Sequence, residues 1–163
     1  MVQMENLLTT GKVARILGVS RHTVARWIKQ GKMKAIRLPS GRYRIPKEEV
    51  LKIIYHSRNL EKILDVLRKI KKELRKEYRG KIKKVILYGS YARGVEREDS
   101  DVDVMVVISD DLNPREVEEY IDPILGDIFA EDGLLISLMA VTESEFNHPY
   151  DVIINARTEG IEV

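Results

Sequence analysis

Cysteine is absent from the 163-residue chain, which excludes disulfides, thiol nucleophiles and cysteine-type zinc sites. No apolar run reaches the roughly 18 residues that a bilayer-spanning helix needs. Met1 to Thr10 carries no secretory pattern, so a cytoplasmic protein with no membrane partner is expected. Acid is missing from one long stretch: residues 6 to 47 hold eleven Lys/Arg and not one Asp or Glu. The reverse holds from 96 to 132, where fourteen acids stand against Arg97 and Arg115. A formal net charge of +2 hides this segregation. A basic front and an acidic back imply two units with different partners. With 33% charged and 44% hydrophobic residues the chain is globular rather than disordered. Its length suits one ordinary domain or two small ones. Internal repeats and low-complexity segments are absent as well.

The stretch that carries chemistry is Lys84 to Ile108, KVILYGSYARGVEREDSDVDVMVVI. Val85 to Tyr88 reads as a short buried strand broken by Gly89-Ser90. Asp101 and Asp103 then open a second apolar run, Val102 to Ile108. Residues i and i+2 of a strand share a face, so the two carboxylates stand side by side. Two like charges that close raise each other's pKa unless a cation neutralises them. Hard oxygen ligands in a pair suit Mg²⁺, which is commonly held by one or two carboxylates plus substrate phosphates. Gly89 lets backbone approach a ligand, and Ser90 to Gly94 can start a helix whose free N–H groups face an anion. A phosphate cradle beside a carboxylate pair is the apparatus of phosphoryl or nucleotidyl transfer.

Gly-Ser, ten residues, then Asp-x-Asp resembles the signature of the polymerase-β-type nucleotidyltransferases. The longer string GSYARGVEREDSDVDVMVV is similar to the minimal nucleotidyltransferases (MNT type), many of them antitoxins paired with HEPN-domain toxins. The likeness covers about residues 80–163. It implies that Asp101 and Asp103 are catalytic and hold Mg²⁺. Gly89 and Ser90 would bind the terminal phosphates of ATP or another nucleoside triphosphate, Arg93 would neutralise charge, and Ser100 would orient the carboxylates. The implied reaction moves a nucleoside monophosphate, AMP from ATP, onto a hydroxyl. The implied partner is a HEPN-type toxin. One departure stands out: the family places a third carboxylate on the next central strand, and here that strand reads GLLISLMAV, with Ser137 its one polar side chain. Serine is a poor Mg²⁺ ligand beside a carboxylate. An alternative is therefore a DNA-binding regulator or antitoxin whose transferase-like domain is catalytically impaired and senses nucleotide or binds a partner.

The front end reads as two short helices, Gly11 to Leu17 and Arg21 to Gln30, capped by Thr9 or Thr10 and by Ser20. A hairpin, 35–38 with 42–45, follows, then a helix opened by Pro46 and running to about Tyr55. This pattern resembles the winged helix-turn-helix of MerR/excisionase type over about residues 7–55. In such modules the second helix enters the major groove of double-stranded DNA. By position Arg21, His22, Thr23 and Arg26 are the candidates for base edges or nearby phosphates, and Lys29, Arg37, Arg42 and Arg44 are the candidates for phosphate contacts.

The expected organisation is α+β. A winged helix-turn-helix (1–56) is joined by a connecting segment (57–80), made of a linker around 56–59 and a long helix from about Leu60 to Arg79, to an α/β nucleotidyltransferase domain with a mixed sheet (81–163). Leu60, Ile63, Leu67, Ile70 and Leu74 repeat at 3-4 spacing, as on a helix laid on a sheet or on a 60–79 dimerisation seam. A helix from Asn113-Pro114, kinked or divided at Pro123, is expected next. Leu134 to Val141 then reads as a central strand, Glu131 and Asp132 before it as loop, and His148-Pro149 as the opening of a last helix.

Overall fold

The computed structural model describes residues 6–97 and 99–163 and divides them into two compact units, meeting at Asn59 and Leu60. In the first unit a short strand β1 (Leu7–Thr9) precedes helices α1 (Thr10–Leu17) and α2 (Arg21–Lys29). Strands β2 (Ile36–Arg37) and β3 (Tyr43–Pro46) follow, and β3 lies between β1 and β2 in an antiparallel sheet. The caps follow the expected chemistry. Thr9 Oγ1 accepts from Lys12 N, Ser20 Oγ accepts from Thr23 N, and Gly18 takes the left-handed turn (φ +66°) between the helices. Val13, Ala14, Val24, Met33, Ile45 and Val50 close the core, with Trp27 packed against it.

Helix α3 (Lys47–Glu77) differs from the expectation. Pro46 ends β3 instead of opening a helix, and 56–59, read as a linker, are helical. Ser and Asn in a helix interior cost only a few tenths of a kcal/mol each. The packed residues Val50, Ile53 and Ile54 before the segment, and Leu60 and Ile63 after it, outweigh that cost.

In the second unit four strands lie in the order β6-β5-β4-β7: β6 (Ile136–Thr142), β5 (Val102–Ile108), β4 (Ile82–Tyr88) and β7 (Ile161–Glu162). Strand β5 is antiparallel to β4 and parallel to β6, so the sheet is mixed. One face is closed by the later turns of α3 and by α5 (Pro114–Asp132). Ile63, Leu67, Ile70 and Leu74 meet Val104, Val106, Val117 and Ile121 there, all essentially without solvent exposure. The apolar seam of 60–79 is thus taken up by the chain's own core. Full burial of each such aliphatic side chain contributes roughly 1.5–3 kcal/mol. The other face is half covered. Met105, Val107 and Val141 pack under α7 (Asp151–Glu159), with Phe146 of α6 (Glu143–Phe146) beside them.

Four further expectations change. Leu134 to Val141 does not form a central strand, because β6 is the sheet's edge and its apolar Leu135 and Met139 are 54% and 38% exposed. Glu131 and Asp132 end α5 instead of forming a loop, and Asp132 pairs with Lys62 at 3.2 Å. Pro123 neither ends nor divides α5, and α7 begins at Asp151, past His148-Pro149.

Candidate active site

Tyr88, the last residue of β4, is the cross-strand partner of Asp103 on β5. Gly89 therefore turns the chain directly beside Asp103. Its φ is +73°, and a Cβ built there would fall inside the contact radius of Asp103 Oδ2 and 3.0 Å from Cγ. Only glycine meets both conditions: a left-handed backbone and a carboxylate lying where a side chain would be. The short helix α4 (Gly89–Arg93) begins here with no side chain capping it. Its far side is anchored by buried Tyr91 and by Ala92, and Gly94 stops it at φ +72°.

Asp103 is half-buried and its carboxyl is held above the usual range, first by burial and then by the Asp101 carboxylate, with Arg93 acting in the opposite direction. Burial, and then the Asp103 charge, push the Tyr88 phenol up as well. Two crowded acids, one cation and an uncapped helix start thus share one corner. The fit to a divalent cation rests on this donor set. Asp101 and Asp103 offer hard oxygens, one already crowded as an anion, and no third His, Asp or Glu joins them among the described residues.

Strand register shows what stands in the third position. Asp103 pairs with Ser137, and Met105 with Met139, across β5 and β6. Ser137 is exposed beside the carboxylate pair. By alternation Leu135, Ser137 and Met139 form an uncharged row on the face that carries Asp103.

The remaining residues divide. Arg93 is exposed and reaches Glu159 of α7 at 3.4 Å, a partner that nothing local in the sequence signals. Ser100 accepts a hydrogen bond from Arg97 N at 2.7 Å, which closes the turn before Asp101. In the first unit Arg21, His22, Arg42 and Arg44 gather around a concavity of about 600 Å³, together with Thr9, Thr10 and Gly11 at the start of α1. The Arg21 guanidinium lies over Gly11, where a Cβ would be 3.0 Å from Nε. Arg26, Lys29 and Arg37 are exposed outside that concavity, and Thr23 is engaged with the Ser20 cap.

Residues 67–160 match the nucleotidyltransferase domain model. The chain belongs to that family. Residues 7–54 match a helix-turn-helix domain model, which makes the first unit the helix-turn-helix part of a nucleotidyltransferase enzyme. Relatives agree with this assignment. A Methanocaldococcus jannaschii protein named "Putative protein adenylyltransferase" is 35% identical over 98 residues, covering 57% of this chain and 87% of its own. A second of the same name and organism is 44% identical over 72 residues, 42% of this chain and 81% of its own. The protein adenylyltransferase MntA of Thermococcus cleftensis is 41% identical over 70 residues, 41% of this chain and 69% of its own. No solved structure matches the chain. No helix among the described residues is long and apolar enough to cross a membrane.

Proposed function

We propose that the nucleotidyltransferase unit moves AMP from ATP to a protein hydroxyl, and that the helix-turn-helix unit holds the enzyme on double-stranded DNA. The observation that carries the first half is Asp103 seated against side-chain-free Gly89, which joins the carboxylate pair to the phosphate corner. Asp101 and Asp103 are the residues that would hold Mg²⁺, which when bound supplies charge neutralisation on the phosphates. Gly89 and Ser90 grip the triphosphate tail through backbone N–H and hydroxyl, and Arg93 adds positive charge. The acceptor hydroxyl gives its proton to solvent, its oxygen forms a bond to the α-phosphorus, the bond to the bridging oxygen breaks, and pyrophosphate leaves toward the Gly-Ser corner. In-line displacement then brings the acceptor from the opposite side, over β6.

Ser137, Leu135 and Met139 offer that acceptor no base. A phenol, with an unperturbed pKa of about 10, ionises far more readily than an alkyl hydroxyl, and an aromatic ring suits an exposed methionine and leucine. A tyrosine on a partner protein, a HEPN-type toxin by the family likeness, is the acceptor this surface favours. Incubating the full chain with ATP labelled in the α-phosphate, Mg²⁺ and such a partner tests the proposal. Label on a partner tyrosine and released pyrophosphate support it; ATP bound but never split contradicts it. Ser137→Asp is expected to lower the Mg²⁺ concentration for half-maximal transfer roughly tenfold, since it restores an acid in register with Asp103. An unchanged Mg²⁺ profile would mean that a third ligand comes from elsewhere.

The basic concavity and its flanking arginines support the DNA half. Arg26→Ala is expected to weaken binding to duplex from the upstream region tenfold or more, at about 1–3 kcal/mol. AMP transfer should stay unchanged. Equal affinity for wild type and variant across salt concentrations would remove Arg26 from the interface. A second reading makes DNA binding the main output and the transferase unit a nucleotide sensor or toxin-binding module in an antitoxin. Ser137 opposite Asp103 favours it. Repression in cells that survives Asp101→Ala but is lost with Arg26→Ala would select this reading.

A further inference from the structure

Within the second unit the buried residues of α3 (Val66, Leu67, Ile70 and Leu74) turn one side of the helix to the sheet. On the opposite side Arg68, Lys72, Arg75 and Lys76 follow one another at helical spacing, and Arg79 continues the row just past the helix end. All five are exposed, and Glu73 and Glu77, the acids of the same stretch, fall to the side of the row at helical spacing. Arg68 has an exposed pair with Asp65 at 2.6 Å, worth little in water. Lys72, Arg75, Lys76 and Arg79 have no ion pair among the described residues. Cations in the last helical turn are favoured by the negative end of the helix dipole, which accounts for Arg75 and Lys76. It does not account for Arg68 and Lys72, which lie outside that last turn. Elsewhere in the same unit basic side chains meet acids: Lys62 with Asp132, Lys81 with Asp111, Lys84 with Glu162 and Arg93 with Glu159.

We propose that this row is a phosphate-binding surface for the backbone of double-stranded DNA, separate from the helix-turn-helix unit. The helical part of the row, Arg68 to Lys76, spans about 12 Å at 1.5 Å of rise per residue, and a duplex presents a negative charge about every 1.7 Å of axis. An unbroken line of cations over that length matches several phosphates without needing any base contact. The surface adds affinity that is indifferent to sequence and steep in salt. It holds the transferase unit on DNA whatever operator the first unit reads.

The test uses the full chain and a random-sequence duplex, with affinity measured between low and physiological salt. Three proteins are compared: wild type, a stripe variant (K72Q/R75Q/K76Q/R79Q) and a concavity variant (R42Q/R44Q). Removing four phosphate contacts should flatten the slope of log affinity against log salt by about 3–4. It should also cost at least tenfold in affinity at low salt. Unchanged melting and unchanged AMP transfer show that the stripe variant is intact, since none of its positions touches the core. Equal slope and affinity for wild type and the stripe variant overturn the proposal. If the concavity variant alone loses binding, the helix-turn-helix reading survives and this one does not. The stripe is likewise overturned if its variant binds DNA normally but loses anionic vesicles or low-salt self-association. The face then belongs to a membrane surface or to a second copy.

Discussion

Asp103→Asn is expected to reduce AMP transfer by about 10²–10³, with no loss of folded stability. The rate effect follows from its place: one of two hard oxygen donors at the site, and the one seated against the glycine corner. Withdrawing a preorganised charge from a transferring phosphoryl group costs about 3–4 kcal/mol, the same range in rate. The stability expectation has the opposite sign to that of an ordinary ion pair. Burial, then Asp101, hold the carboxyl above its unfolded value. The folded state therefore binds the proton more tightly than the unfolded one, and the charged form opposes folding once pH exceeds the unfolded pKa. Asparagine removes that opposition at neutral pH. Nucleotide-free variant should melt at the same temperature as wild type or higher, and its advantage should shrink as pH falls toward the carboxylate range, where Asp103 of wild type takes up its proton. Parallel calorimetry and transfer assays check both halves. Lost transfer accompanied by a lower melting temperature would mean that Asp103 supports the fold, not the reaction.

Gly89→Ala combines two effects that a second glycine separates. At φ +73° an alanine is strained by about 1–3 kcal/mol, and its Cβ must also displace the Asp103 carboxylate. Gly133 ends α5 at φ +68°, and nothing lies within 4 Å of a Cβ built there. Gly133→Ala therefore reports the backbone strain alone. Both variants should melt several degrees below wild type. Only Gly89→Ala should also lose transfer, by a hundredfold or more, because small displacements at a reacting centre are costly. Similar residual activity in the two variants would show that Gly89 is a turn residue and no part of the site.

The Gly-Ser corner, the two aspartates and β5 were legible because they are local. Alternation over Val102 to Ile108 and ten residues of spacing need no tertiary knowledge. Where partners are remote, legibility failed. Strand β1 has three residues and exists through pairing with β3, far along the chain. Strand β6 is as apolar as a central strand, yet it sits at the edge: its outward backbone is met by Glu118, whose Oε1 accepts from Ala140 N at 2.9 Å, and its open face belongs to the site. Residues 56–59 have a linker's composition, but helical packing on both sides carries the helix through them. Leu135 and Met139 could have been marked by stepping two residues from Ser137. Glu159, opposite Arg93, had no such signal.

The most direct test of the shared corner is calorimetric binding of ATP to the full chain, with and without Mg²⁺. Wild type is compared with a D101N/D103N variant. Wild type should bind ATP markedly more tightly when Mg²⁺ is present, and the variant should show little or no Mg²⁺ dependence while keeping its melting temperature. Equal Mg²⁺ dependence in the two proteins would contradict the account, because the aspartates would then stand apart from the phosphates that Gly89 and Ser90 hold.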